Sequence, residues 1–190
     1  MTSEASELSL PRMPSRRVRA RSERALVLGA QAGSREDMEE LFRRHWTPAY
    51  RAAYFVVYDR SAAEDIAQEA FLSALRALDR FDRRRPFGPW LHRIVINRAI
   101  DWSRARALRR EVEASAESPA ADRAEGDLGM RDELDTALAS LSPERRAVVV
   151  LRYVLGYTPG EIADLLELPR GTVNSRLRRA LDDLSGEVSR

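Results

Sequence analysis

The stretch Leu141–Leu181 reads LSPERRAVVVLRYVLGYTPGEIADLLELPRGTVNSRLRRAL. Ser142, Pro143 and Glu144 are the residue types of an N-cap, a first-turn proline and a first-turn acid, and they start a helix through Val150, Leu151 and Val154. Gly156 closes it. Thr158, Pro159 and Glu161 cap a second, short helix that ends near Leu166. Glu167, Leu168 and Pro169 then form a tight connection to a last helix, from Arg170 to about Leu184. Two helices joined by so short a turn, with the small Ala163 where they would cross, make a helix-turn-helix pattern. Placed 100° apart, Val173, Leu177, Ala180, Leu181 and Leu184 share one face of the last helix, which must be core. The opposite face holds Gly171, Thr172, Ser175, Arg178 and Arg179, with Asn174 and Arg176 at its rims. Short polar groups near a helix start, with forked cations behind them, suit base edges and phosphates of duplex DNA. The bland alternative is a surface helix whose arginines are incidental.

Upstream the pattern is helical as well, with no strand-like alternation of any length, so the expected class is all-α. Residues 1–24, rich in Ser, Arg and Pro, show no periodicity and read as a disordered arm. From Glu36 a helix carries Met38, Leu41 and Phe42 toward Trp46. Thr47 and Pro48 read as an N-cap and first-turn proline that start another helix through Tyr50, Ala53, Tyr54 and Val57. Ser61 with Glu64 reads as a capping box that opens a helix to about Arg80. Its apolar stripe is Ile66, Ala67, Ala70, Phe71, Ala74, Leu75 and Leu78; the opposite stripe, Asp65, Gln68, Glu69, Leu72 and Arg76, is polar with one leucine, which suits a protein partner. A further helix follows the loop Phe81 to Gly88 and runs through Trp90, Leu91, Ile94, Val95, Ile100 and Trp102 to an arginine-rich end. Residues 111–130 carry almost no large apolar side chain and read as a flexible acidic linker between two small domains, 25–110 and 131–190.

Composition narrows the chemistry. The 190 residues include no cysteine and only two histidines, His45 and His92, in different helices, which removes disulfide scaffolds, thiol catalysts and histidine or cysteine metal sites. There is no GxxxxGK[ST] and no GxGxxG, so the sequence nominates no catalytic residue, no metal and no cofactor. Nothing reads as a membrane span or secretory signal, and the expected location is the cytoplasm. All 32 basic residues are arginine. Their distribution is uneven: residues 76–110 hold eleven against three acids, while residues 111–141 hold two against nine. A concentrated basic block between acidic ones suggests a local polyanion site.

Aromatic rings are interleaved with that block, Phe81, Phe87, Trp90 and Trp102 lying among Arg80, Arg83, Arg84, Arg85, Arg93, Arg98, Arg104 and Arg106. Flat rings plus cations hold unpaired bases by stacking and their backbone by charge. Trp102, on the Leu91 and Val95 side, is assigned to the core instead. Arg93, Asn97 and Arg104 form a polar stripe in which Asn97 is the neutral group able to read a base edge.

Three stretches, Ala63–Phe81 (AEDIAQEAFLSALRALDRF), Pro86–Arg110 (PFGPWLHRIVINRAIDWSRARALRR) and Leu141–Leu181, in this order and separated by the acidic linker, resemble the sigma-70 factors of bacterial RNA polymerase, extracytoplasmic function (ECF) group. The resemblance spans about Glu23 to Leu184. It implies two helical domains, a sigma-2 bundle and a sigma-4 helix-turn-helix. It implies that Asp65, Gln68, Glu69, Leu72 and Arg76 dock on the clamp helices of the polymerase beta-prime subunit. It further implies that the loop Phe81–Gly88 and the helix after it, with Arg84, Arg85, Phe87, Trp90, Arg93, Asn97 and Arg104, capture a flipped base and the displaced strand of a -10 element. On the same basis residues 170–179, among them Arg170, Gly171, Thr172, Asn174, Ser175, Arg176, Arg178 and Arg179, read a -35 element while the domain touches the beta flap. The family commonly has Lys or Arg where this chain has Asn174, and the loop Arg83, Arg84, Arg85, Pro86 is more basic than many. An anti-sigma factor is a further partner implied by the family.

Two other classes compete. A free-standing helix-turn-helix regulator would use residues 141–184 but leave the Asp65–Arg76 stripe and the aromatic basic block idle. A protein-binding helical scaffold would need the arginines of the last helix to be incidental.

Overall fold

The computed structural model describes residues 21–115 and 136–188, and every regular element among them is helical. Helix α1 (Glu23–Gln31) starts at Ser22, whose Oγ accepts a hydrogen bond from the Ala25 N–H at 3.3 Å, and buries Leu26, Val27 and Ala30. Gly33, at φ +86°, turns the chain into α2 (Arg35–Val57), capped by Ser34. Helix α3 (Arg60–Ala77) continues into a 3-10 turn (Leu78–Arg80), and α4 spans Phe87–Ser115. In this first unit α2 lies at the centre, packed by α1, α3 and α4. Its core is a stack of small and medium side chains at helical spacing, Ala49, Ala52, Ala53 and Val56 against Ala63, Ala67, Ala70 and Ala74, and alanine-rich faces let the helix axes approach closely.

Four helix bounds and caps of this unit differ from the sequence expectation. The two helices expected on either side of Thr47–Pro48 are one, α2, with Pro48 inside it. An interior proline removes a hydrogen bond and costs about 3 kcal/mol. The cost is met by side chains that must stay in register across it: Trp46, Tyr50 and Tyr54 are four residues apart and stack in succession, with centroids 6.4 and 6.3 Å apart. The cap of α3 is Asp59, whose Oδ1 accepts from the Ala62 N–H at 3.0 Å, and not Ser61. Residues 23–24, assigned to the arm, open α1, and residues 111–115, assigned to the linker, continue α4. The remainder of that linker, the arm before residue 21, and Leu134 lie outside the described residues.

The second unit follows the expected cap signals. Residues 136–140 are helical and bury Ala137 and Leu138. Ser142 caps α5 (Pro143–Val149), which widens into a π-helical turn (Val150–Val154) before Gly156, at φ +77°. Thr158 and Glu161 form a reciprocal capping box at the start of α6 (Pro159–Leu166). Glu167, left-handed at φ 53°, ends it. Helix α7 (Arg170–Val188) buries Val173, Leu177 and Ala180; Leu181, expected in the core, is 41% exposed, whereas Leu184 packs against the core and Asp183 meets Arg145 of α5.

Arg146 is almost fully buried and donates to four backbone carbonyls: Leu138 at 2.7 Å, Ala139 at 2.6 Å, Leu141 at 2.9 Å and Val56 of α2 at 2.6 Å. Its guanidinium lies 5.3 Å from the centroid of the Tyr58 ring. One side chain thus ties the end of helix 136–140 to α2, and α5, α6 and the π turn pack directly on α2 and α4.

Candidate nucleic-acid interface

The helix-turn-helix is held by local devices. The Glu161 carboxylate accepts from both the Thr158 N–H and hydroxyl at 2.8 Å, and these bonds keep its carboxyl below the usual range. Gly160 leaves space for the Arg170 guanidinium: a Cβ there would fall 2.5 Å from Arg170 Nη2. Along α7, Gly171, Asn174, Arg178 and Arg179 are exposed, while Thr172, Ser175 and Arg176 are half-buried. Ser175 Oγ donates to the Thr172 carbonyl at 3.0 Å. Among the described residues no carboxylate forms an ion pair with Arg176, Arg178 or Arg179. The residues expected on the reading face of α7 therefore lie together on one accessible side.

On α3, Asp65, Gln68, Glu69, Leu72 and Arg76 are all exposed, and Leu72 is 52% accessible, an apolar side chain left uncovered in an otherwise polar stripe. Glu69 is tied to α4 through Arg98 at 2.6 Å.

The loop before α4 is a turn in which Asp82 Oδ1 accepts from the Arg84 N–H and the Asp82 carbonyl from the Arg85 N–H, both at 2.9 Å. Arg83, Arg84 and Arg85 project from it, exposed. Gln31 braces the turn from α1, donating to the Leu78 and Phe81 carbonyls at 2.9 and 3.1 Å. Glu23 takes the free Phe87 N–H at the start of α4 at 2.7 Å and faces His45 Nε2 at 3.0 Å. Phe87 itself is only 1% exposed, wedged among Phe81, Trp90 and His45, so it supports the site from within and cannot stack on a base. Trp90, half-buried with its ring centroid 4.5 Å from that of Phe81, is the ring of this cluster that reaches the surface. Trp102 is packed against the core, with Arg106 over its ring at 5.0 Å.

The polar stripe of α4 meets the second unit. Arg93 pairs with Glu167, and Arg104 with Glu144 at 2.5–2.7 Å; between them Asn97 is exposed, with no hydrogen-bond partner among the described residues. Burial raises the Glu144 carboxyl, but its backbone hydrogen bond and Arg104 outweigh that, and it stays below the usual carboxylate range. Arg93 likewise holds the Glu167 carboxyl low. Beside these pairs the buried His92 places Nδ1 2.7 Å from the Tyr157 hydroxyl, and desolvation pushes the imidazole down to about 4. Sequence reasoning missed Glu144 and Glu167 as partners of the basic stripe, since each already had a local explanation, a helix first turn and a tight connection. It also missed Arg146, which nothing in the pattern separates from the half-buried Arg145 beside it.

Residues 41–109 match the family model for sigma-70 region 2, and residues 131–184 that for sigma-70, region 4. The ECF RNA polymerase sigma factor SigM of Mycobacterium tuberculosis is 35% identical over 162 residues, covering 84% of this chain and 81% of that protein. The chain belongs to the sigma-70 family, in its ECF group. The ECF sigma factor SigW of Bacillus subtilis is 32% identical, over 73% of this chain and 82% of that protein. The solved structure of CnrH in complex with the cytosolic domain of CnrY is 29% identical, with a TM-score of 0.68 over 88% of this chain and 97% of that one. The sigma factor RpoE from Bartonella quintana, solved with the anti-sigma factor NepR, shares the fold at 23% identity and a TM-score of 0.64. An ECF sigma factor uses both matched regions, whereas the free-standing regulator would leave the whole of residues 41–109 without a task.

Proposed function

We propose that this chain directs promoter-specific initiation by docking the α3 stripe on core RNA polymerase, reading a -35 element with α7 and holding the melted -10 strand on α4 and the loop before it. The observation that carries the reading is the presence on one chain of both sigma-70 regions, with a part-apolar exposed stripe on α3 and accessible, unpaired arginines on α7. Asp65, Gln68, Glu69, Leu72 and Arg76 make the polymerase contact, within a sigma-2 domain of residues 25–110. Arg84, Arg85, Trp90, Arg93, Asn97 and Arg104 serve the single strand. Arg170, Gly171, Thr172, Asn174, Ser175, Arg176, Arg178 and Arg179 serve the duplex, within a sigma-4 domain of residues 131–190 that also meets the beta flap.

Melting needs no chemical step from this chain. Flipping a base costs a few kcal/mol, and stacking on an aromatic ring such as Trp90 returns about 1–3 kcal/mol per base. The arginines screen the strand's backbone. The chain works by binding alone, in the cytoplasm where its polymerase is, and no described helix is long and apolar enough to cross a membrane. An anti-sigma factor is a fitting partner, since CnrH was solved with the cytosolic domain of CnrY and the similarly folded RpoE with the anti-sigma factor NepR.

The test is run-off transcription with purified chain and bacterial core polymerase on sheared genomic DNA, sequencing the transcript starts. Starts that share a pair of upstream elements support the reading; absence of core binding overturns it. On a promoter mapped in this way Asn97→Ala should lower open-complex formation about tenfold, the loss of one good base contact, with core binding unchanged. Unaltered permanganate reactivity of the melted region would remove Asn97 from that role.

A further inference from the structure

We propose that in the free chain the second helical unit acts as an intramolecular stand-in for the promoter strand: Glu144 and Glu167 occupy Arg104 and Arg93 as backbone phosphates would, and DNA must displace them. The inference rests on the assignment of Arg93 and Arg104 to the strand-binding face made above.

Three observations carry it. The partners are the right kind: a carboxylate presents to a guanidinium the same paired, negatively charged oxygens as a phosphate, and one guanidinium cannot satisfy both at full strength. The placement is the right one, since Arg93 and Arg104 flank Asn97 on one helix and their acids come from two separate elements, the start of α5 and the end of α6. Finally, the seam is more than two exposed pairs. His92 and Tyr157 meet across it at 2.7 Å, Arg146 crosses it to the Val56 carbonyl at 2.6 Å, and α5 and the π turn lie on α2 and α4.

The pairs themselves are open to competition. Twenty residues, 116–135, separate the two units in the sequence. The Arg93 and Glu167 side chains are 35% and 66% accessible, and those of Arg104 and Glu144 59% and 23% accessible, so water and salt already compete for these pairs. A polyanion that offers several phosphates at once outcompetes them.

The closed state predicts that the free chain binds single strands poorly and that removing the two acids improves it. Anisotropy of a fluorescein-labelled random single-stranded 20-mer should show the full-length Glu144→Gln/Glu167→Gln variant binding at least fivefold tighter than the parent at low salt. Asp164→Asn/Asp182→Asn, which makes the same change in net charge at two exposed acids outside the seam, should change affinity by less than twofold. The chain has no native cysteine, so dyes on Arg51→Cys and Asp182→Cys report separation of the units; transfer should be high in the free chain and fall on adding core polymerase or in the Gln variant. Equal affinities for the parent and the Gln variant, or an equal gain in the control, overturn the proposal. Arg93→Ala/Arg104→Ala in the Gln background separates the two layers. If it abolishes a gain the Gln variant did show, the stand-in is supported. If it weakens binding although the Gln variant showed no gain, the stand-in fails and the strand-binding reading stands. If it leaves binding unchanged, that reading fails and the stand-in with it.

Discussion

Arg146 shows how one side chain can carry more of the architecture than its surroundings suggest. It brings a charge into the interior with no carboxylate partner among the described residues, and burial lowers its pKa, yet four carbonyl oxygens and the Tyr58 ring surround the guanidinium. Arg146→Met keeps much of the stem's volume and removes the donor to the Ala139, Leu141 and Val56 carbonyls, while the Leu138 carbonyl keeps the Leu141 N–H at 3.2 Å; each buried acceptor left stranded costs about 1–3 kcal/mol before relaxation. Urea unfolding should show a loss of about 3 kcal/mol, and Arg146→Lys should recover less than half, because a single ammonium cannot span carbonyls on two elements. A loss below 1 kcal/mol would mean that water replaces the guanidinium. At this scale the sequence is ambiguous for a physical reason: Arg145 and Arg146 are adjacent, and only the third dimension decides that one meets Asp183 at the surface while the other faces inward. Phe87 and Trp90 pose the same problem. Both are aromatic residues in a basic block, and the one that packs beneath the Glu23 bracket is lost to the surface.

Among the elements, those with explicit punctuation were legible and those without were not. Ser142, Thr158, Gly156 and Pro169 each impose a local conformation that tertiary structure does not override, so the starts of the helices and the turn between them could be read from sequence, while the last helix, with no stop signal, runs to Val188 and not to about Leu184. On α3 the exposure of Asp65, Gln68, Glu69, Leu72 and Arg76 was legible from their spacing, but Leu75, assigned to the apolar stripe, is 38% exposed as well. Pro48 misled because proline starts helices more readily than it interrupts them, and only the aromatic ladder across it shows that continuity wins. In α2 the Arg44 carbonyl lacks the N–H that residue 48 would ordinarily supply. Pro48→Ala restores it and should raise the thermal midpoint by about 4 °C or more, corresponding to roughly 1 kcal/mol in a domain of this size. A lower midpoint would show that the proline ring's own packing outweighs the missing bond.

For the whole molecule, the sequence predicted two separate units and the structure joins them through a seam that contains a buried imidazole, which makes closure sensitive to pH. His92 lies within that seam, facing the Tyr157 hydroxyl, and the repulsion that would arise if His45 were charged as well disfavours its protonation further. An exposed histidine titrates near 6.5, whereas here desolvation holds His92 neutral down to about 4, so the open form binds more protons between those values. Closure is therefore at full strength above pH 6.5 and weakens as pH falls toward about 4, by up to about 2 to 3 kcal/mol. The acids of the seam do not share this window. Glu144 and Glu167 are held below the usual carboxylate range, so their pairs with Arg104 and Arg93 persist until the solution is more acidic than about pH 4.5. Tyr157, pushed up to about 12 by burial and by Glu161 and Glu23, stays protonated throughout. His45 is also held neutral by burial, between Glu23 and Phe87 inside the first unit, and it reaches the seam only through its charge repulsion with His92. Energy transfer between the two dye positions should accordingly fall between pH 6.5 and 4.5 in the parent chain, while far-ultraviolet circular dichroism stays constant. His92→Gln keeps a hydrogen-bonding group opposite Tyr157 and removes the titration, so its transfer should be flat over the same range. A parent chain that stays closed to pH 4.5, or a Gln variant that opens as the parent does, would show that His92 does not govern the seam.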